Sequence, residues 1–179
     1  MLSNSEELRS VLSDPARLGA VFARHAYGMR RWVDLFAPRI ARTEEPQLKE
    51  LVATLVADNA RHMNLFRERA LARGVDPDAY TAPVEGELIY ERLDEKGSFE
   101  EVAAYALASL DHFAELLAVY GASAGGEDAA VIGEVRSDVD RMRERLRPLG
   151  SSAAHAAAEA HELYRVRELV ETPRYALAG

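Results

Sequence analysis

One rhythm runs through almost every long segment of this chain: apolar side chains recur every three or four residues. In the first such segment they fall at Leu18, Phe22, His25, Met29, Trp32, Phe36 and Ile40, which lays a single stripe along one face of a helix. The rhythm returns at Leu48, Val52, Leu55, Asn59, His62, Phe66 and Ala70. It returns again at Val102, Ala106, Leu110, Phe113 and Leu117, and at Ile132, Val135, Val139, Met142, Leu146 and Leu149. No stretch alternates with the period of two that a half-buried strand needs. The spacing predicts an all-α protein whose long amphipathic helices pack stripe against stripe.

Punctuation between the stripes sets the helix ends. Asp14-Pro15 opens the first helix, because the carboxylate caps free N–H groups and proline at the first helical position has no N–H to lose. Pro46 opens the second after a short turn, and Gly74 closes it. Asp76-Pro77, Pro83, Gly86 and Gly97 break the segment from 74 to 98, which reads as a long crossover rather than one helix. Ser98 and Glu101 form a capping box for the third helix, Gly125-Gly126 precedes the fourth, and Pro148 with Gly150 ends it. An Ala-rich fifth helix from Ser152 to about Val170 presents Ala156, Ala160, Leu163, Val166 and Val170 on one face. Residues 1–150 thus read as a four-helix bundle and 151–179 as a C-terminal helical arm. A fifth amphipathic helix outside a completed core needs a surface to cover, so it is expected to dock that face on the bundle or on a second copy of the chain, and a homodimer is expected.

Composition narrows the chemistry. The chain has no cysteine, so any metal must be held by His, Asp or Glu. Net charge is −8 with acids spread throughout, which gives no basic stripe for nucleic acid. The start MLSNSEELRS lacks a basic region followed by an apolar one, and no uninterrupted 18-residue apolar run follows, so a cytoplasmic protein without membrane contact is expected. Arg141, Arg143, Arg145 and Arg147 alternate around the fourth helix and read as ordinary surface. No nucleophile triad, phosphate-binding glycine loop or dinucleotide fingerprint is present.

Two helix hairpins joined by a long crossover point to the ferritin-like topology, with the second and third helices parallel. The stretch from Asn59 to Arg69, NARHMNLFRER, resembles the Glu-x-x-His helix of that superfamily, the rubrerythrin and di-iron carboxylate bundles, with Asn in the Glu position. The resemblance covers roughly Asp14 to Leu149 and implies that His25, Asn59, His62, Asp111, Val139 and Met142 lie at one layer. In that register His25 stands where the first Glu is expected, Asn59 replaces the second, His62 matches the histidine, and Asp111 is a shortened third carboxylate. Val139 and Met142 replace the last Glu and His. A carboxylate-rich pair of irons is therefore not expected.

Two functional readings follow. In the first, the layer is metal-free and structural or binds a small organic molecule, with Asn59, Val139 and Met142 lining it, and the chain serves as a ligand-binding protein or a partner subunit. No cofactor is expected on that reading. In the second, His25, His62 and Asp111 form a 2-His-1-carboxylate set holding one iron or another divalent metal for an oxidoreductase or oxygenase. Blander assignments stand beside both. His25 and His62 fit core histidines bonded to carbonyls, Asn59 fits a buried specificity residue, and Asp111 fits a side chain turned outward. Asp58 reaches the Asn59 position by a small helix rotation. His155, Glu159 and Glu162 have metal-ligand spacing but lie off the apolar stripe, where solvation is expected.

Overall fold

The computed structural model describes residues 6–177, with side chains for 6–174. The first five residues of the N-terminal stretch and the last two of the arm lie outside that range. The described chain is all-helical, with seven α-helices, two short 3-10 turns and no strand among the described residues. The helices are α1 (Glu6–Ser13), α2 (Leu18–Arg42), α3 (Pro46–Ala72), α4 (Val84–Asp94), α5 (Phe99–Gly121), α6 (Gly126–Leu146) and α7 (Ala154–Leu177).

Local chemistry explains the boundaries. Asp14 accepts a hydrogen bond from the Ala16 N–H at 2.9 Å and starts a 3-10 turn that leads into α2. Glu45 caps α3 through the Leu48 N–H at 2.7 Å, with Pro46 in the first turn. Gly74, at φ 75°, supplies the left-handed residue after α3. At α5, Ser98 and Glu101 satisfy each other's backbone donors.

Two helices were not anticipated. Helix α1 buries Leu8 and Leu12, and α4 buries Ile89, Tyr90 and Leu93 inside the segment read as an irregular crossover. Gly86 had looked like a breaker there. Its role is close approach instead, because a Cβ at that position would lie 3.2 Å from Pro83 Cδ and 3.4 Å from Arg167 Nε.

The chain divides into two compact units, Gly19–Tyr80 and Met1–Leu18 with Thr81–Gly179. The smaller unit is the α2–α3 hairpin and the turn that follows. Phe22 stacks on Phe66 at 5.8 Å, and Gly19 meets Val75, so the two helices run antiparallel. Arg67 of α3 holds Asp78 through two hydrogen bonds and ties the Pro77–Ala79 turn to the helix.

In the larger unit α5 is the central helix. Helix α6 returns antiparallel along it, with Gly121 against Ile132 at one end and Asp111 bonded to Arg143 further along. Helix α7 runs parallel to α5, as Glu101 meets His155 near the start of both and His112 meets Glu168 near the end. Helix α4 packs antiparallel on α7, with Lys96 just after it bonded to Glu159 and Tyr90 bonded to Arg167. The sequence boundary drawn at 150/151 lies within this unit, where Ala156 and Ala160 are fully buried. By length and composition α5 is apolar enough to cross a membrane, a property that counting unbroken apolar runs overlooks; 67% of that window is buried inside the chain.

Candidate functional site

Three polar features stand out, one in the smaller unit and two in the larger. In the α2–α3 hairpin, His25, Asn59 and His62 are all buried, at 2%, 7% and 3% exposure. The amphipathic stripes carry them inward because each sits in an apolar position of its helix. The Arg24 guanidinium lies 3.0 Å from His25 Nδ1. Arginine only donates, so this contact requires the Nδ1 lone pair and leaves the proton of a neutral imidazole on Nε2. The ring also packs on Phe66 at 5.3 Å. Asn59 spends an amide N–H on the Leu55 carbonyl of its own helix at 2.7 Å. Asp58, the alternative carboxylate on this helix, pairs with Arg61 at 3.3 Å.

The other three residues read from sequence belong to the larger unit. Val139 and Met142 are buried in the inward stripe of α6 with Ile132, Val135 and Leu146. Asp111 stands on the edge of α5, its side chain 34% exposed, and one carboxylate oxygen takes Arg143 Nε at 2.7 Å and Nη2 at 2.6 Å. Arg143 also donates to Asp140 at 2.8 Å. These side chains form one wall of an open groove of about 500 Å³, to which α5 contributes Ala114, Glu115 and Ala118, α6 adds Arg136, the cap at its C-terminal end adds Arg147, and α7 adds His161. The arginines of α6 are therefore not uniformly distributed: Arg136, Arg143 and Arg147 share a face, while Arg141 turns to Asp138 at 2.6 Å.

The third feature was missed in the sequence. His112 and Glu168 meet at 3.2 Å with side chains only 4% and 5% exposed. Tyr164 stacks on the imidazole at 4.4 Å. Next to Glu168 in the chain, Arg167 pairs with Glu171 one turn on at 3.2 Å, both side chains under 5% exposed, and donates to the Tyr90 hydroxyl at 3.2 Å. Close by on α4 and α5, Tyr105 donates to the Ile89 carbonyl at 2.8 Å, and burial pushes its hydroxyl well above the usual phenol range, so it is a fixed donor. The stripe drawn on the fifth helix through Leu163, Val166 and Val170 is displaced: the structure buries Tyr164, Arg167, Glu168, Glu171 and Thr172, and leaves those three half-covered. The available signal was the second stripe of α5, Tyr105, Ser109, His112, Leu116 and Tyr120, which shows that the helix is covered on more than one face.

His155, Glu159 and Glu162 do not converge. His155 bonds Glu101 at 3.0 Å, Glu159 takes Lys96, and Glu162 takes Arg165 at 2.6 Å. The bonds from His155 and Ser98 hold the Glu101 carboxyl down at about 2. Among the described residues no group of three or more His, Asp or Glu is arranged to hold a metal ion. What the fold and these features define is an all-helical protein with buried polar groups and a charged groove beside α5 and α6. No protein-family model matches the chain, and no curated protein matches it.

Proposed function

We propose that this chain is a ferritin-like helical protein that does not use a di-iron centre and works as a metal-free small-molecule-binding protein or partner subunit. The observation that carries the reading is the commitment of the donor atoms. His25 Nδ1 faces Arg24, and one Asp111 oxygen is taken twice by Arg143. A metal on His25 Nε2 requires the proton on Nδ1, where it would confront a guanidinium that also donates. Ferritin-like ancestry is supported by the hairpin of α2 and α3, the hairpin of α5 and α6, and the connection between them, long enough to hold α4.

The test is thermal unfolding with and without Fe²⁺, Zn²⁺ or Mn²⁺, beside metal analysis of protein purified without chelator. The expected outcome is no bound metal and an unchanged melting temperature. A ligand that binds only the folded state at a hundred times its Kd stabilises by about 2.7 kcal/mol, so a site of even micromolar affinity would be visible. The competing mononuclear oxidoreductase is favoured by the burial of both His25 and His62. It predicts a metal-induced rise in melting temperature that His62→Leu abolishes, and it needs Asp111 released from Arg143.

We further place the protein in the cytoplasm. The homodimer expected from an uncovered fifth helix loses that reason, because α7 is covered within the chain by α5 and α4. Light scattering decides the state.

A further inference from the structure

The groove beside α5 and α6 has the capacity of a small-molecule site, about 500 Å³ against the roughly 300–1,000 Å³ usual for such sites. Its charges are unevenly used. Asp111 and Asp140 are both held by Arg143 at 2.6 to 2.8 Å, and Glu115 is engaged as well. The other donors fare differently. Arg136 reaches Asp140 only at 4.0 Å with its side chain 57% exposed, and neither Arg147 nor His161 has an ionic or hydrogen-bonding partner among the described residues. In a chain of net charge −8, such arginines would find carboxylates readily if the surface were arranged only for pairing. Here they line one concavity whose remaining surface includes the small side chains Ala114 and Ala118.

We propose that this groove binds a compact organic dianion, a phosphate monoester or a dicarboxylate, through Arg136 on α6, Arg147 just past its end and His161 on α7. Guanidinium forks match the paired oxygens of either group. The two alanines leave room for a short carbon skeleton. Arg143 is shared by Asp111 and Asp140, and the three arginines of the groove balance its three acids, so the ligand is held by direct bonds from the guanidiniums rather than by a net positive field. A long polyanion is opposed by the charge of the whole chain, whereas a small ligand meets only the local field. The proposal rests on the small-molecule reading above and gives it a ligand class and a place.

The experiment is calorimetric titration of the full chain at low salt with inorganic phosphate, glycerol 3-phosphate and succinate, in wild type and in Arg147→Gln, His161→Gln and Arg141→Gln. All three positions are exposed, and circular dichroism melting verifies that each variant folds. Saturable binding is expected with at least one dianion, weakened about tenfold by Arg147→Gln and by His161→Gln and unchanged by Arg141→Gln. The phosphate and succinate arms distinguish the two headgroups. Absence of saturable binding by every dianion overturns the proposal, as does equal weakening by Arg141→Gln. Metal plays no part in this titration, so a metal response in the unfolding assay would remove the metal-free reading without deciding the groove.

Discussion

His112 and Glu168 show how much depends on single residues here. The two side chains lie 3.2 Å apart and are both buried, so removing one member leaves the other in a medium that solvates it poorly. His112→Leu should destabilise the protein by about 3–5 kcal/mol in denaturant titration, and adding Glu168→Leu should recover most of that loss. A double variant no more stable than the single would show the two side chains to be uncoupled. Glu101 gives a pH signature of opposite exposure. Its carboxyl is held at about 2 in the folded chain by His155 and Ser98, against 4.5 ordinarily, so its contribution is full above pH 4.5 and is lost as pH falls through 2. The stability difference between wild type and Glu101→Gln should therefore shrink between those values, and a difference independent of pH would refute the assignment. At this scale the sequence was legible where chemistry is local, as at Asp14, Pro46 and Ser98. It was illegible at Arg167, Glu168 and Glu171, because charges in a helix default to the surface and only the partner helices reveal them as buried.

Helices α4 and α7 carry the element-scale lesson. The stripe rule located the five longest helices but misplaced the buried face of α7, since Leu163, Val166 and Val170 outrank Arg167 and Glu168 in hydrophobicity while packing ranks them the other way. Helix α4 was lost to Gly86, which the helix accommodates and where an added Cβ would press first on Pro83 Cδ at 3.2 Å. Gly150, in the turn between α6 and α7, is a sharper case. A Cβ there would lie 2.7 Å from both the Cα and the backbone N of Ala104 on α5, and backbone does not swing aside as a side chain can. Gly150→Ala should cost about 3 kcal/mol, at the upper end of ordinary overpacking, whereas Gly97→Ala, with open space around it, should not show that loss. Equal melting temperatures for the two variants would contradict the close approach.

For the whole molecule, the all-helical class followed directly from the period, while the grouping of helices did not. The C-terminal arm is expected from its stripe to dock on the bundle or on a second copy, and α7 lies along α5, supplying Ala156, Ala160 and Tyr164 to its covering. Deleting residues from Ser152 onward should accordingly abolish the cooperative melting of the larger unit and raise binding of an apolar dye, and a truncated chain that melts like the wild type would make α7 dispensable. The candidate site was legible only as far as burial: inward positions could be read from the stripe, but the arginines that engage His25 and Asp111 could not, because pairing depends on rotamers and neighbouring turns.

The central place of α5 also matters during synthesis. Its apolar 23 residues leave the ribosome before α6 and well before α7, so the segment most like a membrane span is made before the helix that supplies the partner of His112. Until residue 168 emerges, His112 lacks that carboxylate and the α7-facing side of α5 is open to other apolar surfaces. Nascent chains arrested near residue 150 should cross-link to chaperones through α5, and the cross-links should disappear once the final helix has been released.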